Sequence, residues 1–232
     1  PRVRETAKYL WMVYFGFTFA ETLLLGIGGM DWFDAVCHSF TTMPTGGFST
    51  KNASIAHYGN SYIHYIMILF MFFAGINFTL HFRAITGDVT SYFKDREFLY
   101  YLGITVSITL CISLGLYVQG SSWSHHHFRD SLFQTVSILT TTGYGTTDYE
   151  LWPYFAQFIL LLLMFVGGMG GSTGGGMKII RVILILKYIA IETRQMLHAR
   201  AIIPIRIGSR YISADVIRNT VGFFLFYIFI FA

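Results

Sequence analysis

The sequence predicts an all-α membrane protein built from repeated units of span, re-entrant loop and span. Three observations predict it. Of 232 residues, 54% are hydrophobic and only 12% charged, where a soluble domain carries about a quarter charged. Residues 62–82 and 98–118 contain no Asp, Glu, Lys or Arg, and each is long enough to cross about 30 Å of hydrocarbon, which takes about 20 helical residues. A shift of 96 residues lays one Gly- and Thr-rich turn on another, together with the short apolar stretch before each. A mean hydropathy of +0.55 disfavours a soluble enzyme, a disordered chain and a secreted disulfide scaffold alike.

Four segments have spanning length: 9–30, 62–82, 98–118 and 151–169, with a fifth beginning near Val216. In lipid every backbone amide must be paired within its own segment, so these are expected to be helices. Of the 16 Lys and Arg, only Lys51 and Arg129 fall in the connections after the first and third spans; the others share the opposite face. By the positive-inside rule that face is cytoplasmic, and the net charge of +4 is a topology signal that calls for no nucleic acid. Cys37 and Cys111 lie among apolar neighbours at a spacing that suits neither a disulfide framework nor a zinc site. The chain starts at Pro1 without a signal peptide and stops within an apolar run, so a piece of a longer protein is expected.

The two outer connections carry the chemistry. After the first span come Asp31-Trp-Phe-Asp34, an apolar stretch to Thr42, and Met43-Pro-Thr-Gly-Gly-Phe-Ser-Thr50. After the third come Phe128-Arg-Asp130, an apolar stretch to Leu139, and Thr140-Thr-Thr-Gly-Tyr-Gly-Thr146. Segments of about 10 residues are too short to cross and suit re-entrant helices, with Asp34 and Asp130 read as the residues that cap their first turns. Each helix then directs its partially negative end inward. Non-helical backbone at that depth must be buried or line water, and its carbonyl oxygens can replace the water shell of an alkali cation. The candidate filter residues are Thr45, Gly46 and Gly47 in one turn and Thr141, Thr142 and Gly143 in the other. Ordinary surface turns are the alternative for either turn alone; their matched register argues against it.

Thr141-Thr-Gly-Tyr-Gly145 resembles the potassium-channel filter, with Thr142 where Val is usual. With 40–50, 140–149 and 167–178, the chain is similar throughout to the Trk/Ktr/HKT potassium-uptake family, in its TrkH-like pore-forming subunits. The resemblance implies a potassium-channel-like fold with four units in pseudo-four-fold array. Residues 1–92 would be the second unit, 93–212 the third with a broken span, and 213–232 the start of the fourth. It implies K+ as the transported ion, no bound cofactor, a bacterial inner-membrane location, a homodimer in lipid and a cytoplasmic nucleotide-binding regulatory subunit (TrkA-like). One departure stands out: Phe48-Ser49 in the first turn where the second has Tyr144-Gly145.

The broken span holds seven glycines among residues 167–176. Each interior Gly costs a helix about 1 kcal/mol relative to Ala, so the helix should break here. A phosphate-binding loop would need Gly and Lys adjacent after a strand, and Met177 intervenes; a small-residue helix-packing patch is the other alternative. The offset lays Gly171 on Gly75 and Thr173 on Asn77, within what reads as an intact helix of the other repeat. The expected gate loop is Gly167, Gly168, Gly170, Gly171, Ser172, Thr173, Gly174, Gly175, Gly176 and Lys178, lying below the filter towards the cytoplasm, as the family resemblance also implies.

Lesser candidates have open alternatives. Glu21 is the one carboxylate inside a span, a functional group or a packed polar residue. Asn77 and Thr79 line the inner pore or bond between helices. His125, His126 and His127 offer a metal-ligand run or a solvated turn, Asp148 a cation-attracting mouth residue or a turn residue, and the cationic stretch 178–218 a regulator's dock or a topology signal. The functional expectation is channel-like potassium uptake without catalytic residues; the alternatives are potassium symport with a proton or sodium ion, and a membrane-embedded enzyme, for which no catalytic cluster lies at bilayer depth.

Overall fold

The computed structural model describes residues 2–118, 125–197, 205–207 and 210–231. These form ten helices: α1 (Arg2–Ile27), α2 (Trp32–Thr42), α3 (Ser61–Ala74), α4 (Phe78–Ile85), α5 (Ser91–Lys94), α6 (Arg96–Val118), α7 (His125–Leu139), α8 (Tyr154–Leu163), α9 (Ile179–Leu197) and α10 (Ala214–Phe231). Apart from these, 3₁₀ turns lie at Ser54–His57 and Tyr149–Leu151, and a two-residue antiparallel pair joins Arg206–Ile207 to Arg210–Tyr211. The fold is an all-helical membrane architecture, as expected. Ala7–Ile27 and α6 have the length and apolarity to cross a membrane unaided. Their outer faces show large apolar side chains, among them Trp11, Phe15, Phe19 and Leu114, the surface a lipid-facing helix presents.

Two expected spans are not continuous helices. Residues 62–82 divide into α3 and α4, which meet at 104°. Gly75 closes α3, its amide donating to Met71 O and Phe73 O, and the Asn77 side chain caps α4 by accepting the Thr79 amide at 2.9 Å. Asn offers the backbone an alternative to the helical ladder, and only a residue without a Cβ fits at Gly75, where a side chain would strike the Tyr101 hydroxyl. The intact helix expected at the Gly75/Asn77 register is therefore itself broken. The segment 151–169 is helical only over the ten residues of α8, about 15 Å. The chain leaves the helix after Leu163, before Gly167, the first glycine of its loop.

The short helices α2 and α7 are the re-entrant elements. α7 lies against α6, its own preceding helix, and against α3, the helix that follows the second turn's counterpart, residues 43–50. One apolar core runs through Leu25, Met67, Met71, Phe133, Val136 and Tyr144. A second, with Ile76, Tyr101, Leu139, Met169 and Ile179, surrounds the break between α3 and α4 and the glycine loop.

Candidate functional site

The acids at the re-entrant helices do a different job from the one expected. Asp31 caps α2, accepting the Phe33 amide at 3.0 Å, while Asp34 and Asp130 lie inside their helices. Asp34 takes the hydroxyls of Thr50 and Tyr58 at 2.7 Å each and the Lys51 ammonium at 2.9 Å. Asp130 takes Thr146 at 3.5 Å and Arg129 at 2.9 Å. Thr50 and Thr146 are 96 residues apart, so each acid ties the rising limb of its turn back to its own helix. Burial, then the neighbouring Asp34 carboxylate, pushes the Tyr58 phenol well above its ordinary range, which keeps it a donor in this cluster. The two outer cations, Lys51 and Arg129, are the partners of these acids.

Between helix and clip, the two turns match bond for bond. The amides of Thr45 and Thr141 donate to Thr42 O and Ile138 O at 2.9 Å. Those of Gly46 and Gly47 donate to Thr41 O at 2.8 and 3.1 Å, and those of Thr142 and Gly143 to Ser137 O at 2.9 and 3.3 Å. The hydroxyls of Thr41 and Ser137 donate to Phe48 O and Tyr144 O at 2.8 and 2.7 Å. Thr45 and Thr141 have φ of 57° and 60°, and Gly47 and Gly143 have φ of 66° and 88°. Two left-handed residues separated by one ordinary residue direct the amides backward into the helix. Among the described residues, no hydrogen bond falls on the carbonyls of Thr45, Gly46, Gly47, Thr141, Thr142 or Gly143. The six residues named from sequence are thus brought together as two short runs of free carbonyl oxygen. Their close approach dictates one glycine sterically: a Cβ on Gly47 would run into the Thr142 carbonyl, whereas one on Gly143 would meet nothing within 4 Å.

Tyr144 joins the two turns. Its hydroxyl lies 2.6 Å from Thr41 Oγ1 and donates to His38 O at 3.2 Å, with 1% of the residue exposed. Phe48 holds the equivalent position in the first turn and is 77% exposed. Ser49, where the second turn has Gly145, is held by His38 Nε2 at 2.9 Å. The outer ends are linked as well: the Ala56 amide donates to Gly145 O at 3.0 Å.

The glycine loop lies directly beneath both turns and touches each. The Gly175 amide donates to Thr141 Oγ1 at 2.6 Å, Thr45 Oγ1 donates to Thr173 O at 3.2 Å, and Thr173 Oγ1 donates to Met43 O at 2.8 Å. Its other support is the break between α3 and α4. There the Met169 amide donates to Gly75 O at 2.9 Å, the Thr173 amide to Ala74 O at 3.3 Å, and the Phe78 amide to Gly171 O at 3.1 Å. Broken helices leave orphan backbone groups, and the two breaks satisfy each other's. A Cβ on Gly168 would come within 2.8 Å of Gly75 O, so the close approach requires glycine there. At the neck, the Gly167 amide donates to Met177 O at 2.8 Å. The Lys178 ammonium reaches back to Gly174 O and to Ser172 Oγ.

The break at residues 75–77 and the Tyr144 bridge were not expected from sequence. The adjacent Gly75-Ile-Asn77, a helix stop followed by a capping residue, was the available signal for the first. Other candidates fall outside the site. Glu21 is completely buried beside the Thr42 side chain, and among the described residues no hydrogen bond of standard geometry reaches either carboxylate oxygen. Asp148 caps a 3₁₀ turn by accepting the Glu150 amide at 3.0 Å, which favours the turn reading. Thr79 is exposed on α4. Among the described residues no cluster of three metal-ligating side chains occurs; the side chain of His125, and Arg200 of the cationic stretch, lie outside them.

A profile of the TrkH family, described as a cation transport protein, matches residues 1–232. The chain is 40% identical to the Trk system potassium uptake protein TrkH of Vibrio parahaemolyticus and 37% identical to that of Escherichia coli K12, in each case over all of this chain and 48% of the relative. It is 32% identical to TrkG of Escherichia coli K12 over 98% of this chain and 47% of that protein. The crystal structure of the potassium transporter TrkH from Vibrio parahaemolyticus superimposes with a TM-score of 0.93 at 40% identity, over 100% of this chain and 50% of that one. The chain therefore spans about half the length of the curated relatives it matches. Sequence, fold and site agree: this chain belongs to the TrkH family of cation transport proteins.

Proposed function

We propose that this chain forms half of a potassium-conducting pore, with Thr45, Gly46, Gly47, Thr141, Thr142 and Gly143 as filter residues and the loop of residues 167–178 as its gate. The observation that carries the reading is the pair of matched turns whose amides are all turned away and whose carbonyls accept no hydrogen bond among the described residues. Such oxygens bind a dehydrated alkali cation without any bond chemistry, and relatives of this chain are named potassium uptake proteins. The gate reading rests on the loop's direct bonds to Thr45 and Thr141 below the filter.

Residues 1–92, 93–212 and 213–232 then correspond to the second unit, the third unit and the opening of the fourth. Phe48 supports this arrangement: its counterpart Tyr144 is buried on the preceding unit's α2, so an exposed Phe48 fits a protein with another unit on that side. K+ is the transported ion, the bacterial inner membrane the location, and a homodimer working with a nucleotide-binding TrkA-like subunit the assembly. The test is rubidium and sodium uptake by proteoliposomes holding the full-length polypeptide. Alanine in place of Gly174, Gly175 and Gly176 is expected to change flux at an unchanged rubidium-to-sodium ratio. Unchanged flux would remove the gate, and a ratio near one in the parent protein would remove the potassium filter.

A further inference from the structure

The gate loop is held from outside by one carboxylate that neither the filter nor the loop contains. Glu97 lies in the first turn of α6. Its carboxylate does not serve that helix's own amides, because Asp95 already accepts the Phe98 amide at 3.0 Å. Instead, Glu97 Oε1 accepts one amide from within the loop and one from beyond it: Gly170, on its entering limb, at 2.7 Å, and Ile180, in the first turn of α9, at 3.3 Å. The second bond places a negative charge at the start of a helix, where orphan amides and the helix dipole favour it. The side chain forms no ion pair among the described residues, although Lys94, Arg96 and Arg181 line the same cavity of about 670 Å³ beside it. The guanidinium of Arg181 lies instead over the Phe223 ring at 4.5 Å. The Gly170 and Ile180 amides are thus the acceptor's partners.

The two bonds join the loop to the helix that follows it. Gly170 immediately precedes the residue that bonds the α3–α4 break, and Ile180 belongs to the helix that leads away. A loop that swings out from beneath the filter must move Gly170 relative to α9, and one oxygen bonded to both ends resists that movement. We propose that Glu97 is a positioning residue that holds the gate loop in its closed seat, so that its loss favours the open pore. The proposal rests on the gate reading above. Amide bonds to a charged acceptor are the strong class of hydrogen bond, and their loss from only one of two states shifts the balance between them.

The experiment is rubidium uptake by proteoliposomes of the full-length polypeptide, with the rubidium-to-sodium ratio measured alongside. Glu97→Ala is expected to raise basal uptake about tenfold, the factor for one such bond lost from the closed state alone. Glu97→Gln keeps a carbonyl acceptor at the same reach and is expected to stay within about threefold of the parent, a rescue that general destabilisation would not produce. Both should leave the ion ratio unchanged, since neither touches the filter. If Glu97→Ala does not assemble, Glu97→Asp, one methylene too short to reach both amides, takes its place with the same expectation. A variant with residues 171–175 deleted is the control for the gate itself. Uptake that rises on deletion but not in Glu97→Ala or Glu97→Asp would overturn the role of Glu97 and leave the gate intact. Uptake unaffected by the deletion would overturn the gate, whatever the Glu97 variants show.

Discussion

The two Gly- and Thr-rich turns and the two helix breaks beside them obey the same 96-residue offset, yet the turns match bond for bond and the breaks do not. Each turn repeats the same four backbone and hydroxyl bonds, down to the left-handed Thr and Gly. The first break is three residues long; the second runs from Met164 to Lys178 and fills the first. If the turns are the filter and the loop its gate, as proposed, the difference follows from what each must do. A cation coordinated from several sides needs equal oxygens from every unit, whereas an obstruction on the axis is needed only once. One unit then supplies the obstruction and the other its seat, where Ala74 O and Gly75 O accept the loop's amides.

The largest effects are expected at the glycines of the two turns. Gly47→Ala should cut transport more than about a hundredfold, because left-handed strain of about 1–2 kcal/mol adds to a collision with the Thr142 carbonyl. Gly143→Ala carries the strain without the collision. It should retain transport and lose up to about tenfold in rubidium-over-sodium preference, read by uptake in proteoliposomes. Equal effects would mean that the two turns are as alike in their surroundings as in their bonds.

Smaller effects sharpen the lower half. Thr173→Val removes the hydroxyl that donates to Met43 O and Ala74 O at 2.8 and 3.1 Å. Basal uptake should rise by about threefold to tenfold, and a fall would place that hydroxyl in the open state instead. The clips rank last. Thr50 meets Asp34 at 2.7 Å and Thr146 meets Asp130 at 3.5 Å. Thr50→Val should therefore cost about 1.5–3 kcal/mol of stability, the range for a bond to a charged group, and Thr146→Val less than about 1 kcal/mol. Thermal unfolding in detergent compares them, and the reverse order would show that the second clip is the stronger one.

What was legible in the sequence divides along the same line. The turns could be read because their Gly and Thr recur at a fixed offset and have no role in a helix. The seat could not: Gly75 and Asn77 are single residues in a 21-residue run without charge, and average hydropathy outweighs them. Asp31 and Asp34 both precede the apolar stretch and either suits a cap, and only the position of α2 decides between them. Tyr144 reads as an aromatic of the filter motif, but its bond to Thr41, 103 residues away, is a tertiary fact. Glu97 looks like any acid at the start of a span, because sequence places it in the first turn without showing which amides it faces.

On the proposed reading, the pore opens only when the glycine loop leaves the break between α3 and α4. A Cβ on Gly171 would lie 3.1 Å from Asn77 Cγ, within reach of a disulfide. The most direct measurement is rubidium uptake by the full-length polypeptide carrying Asn77→Cys and Gly171→Cys, with Cys37 and Cys111 replaced by serine. Oxidation is expected to abolish uptake and reduction to restore it. Uptake that persists with the disulfide formed would contradict the account.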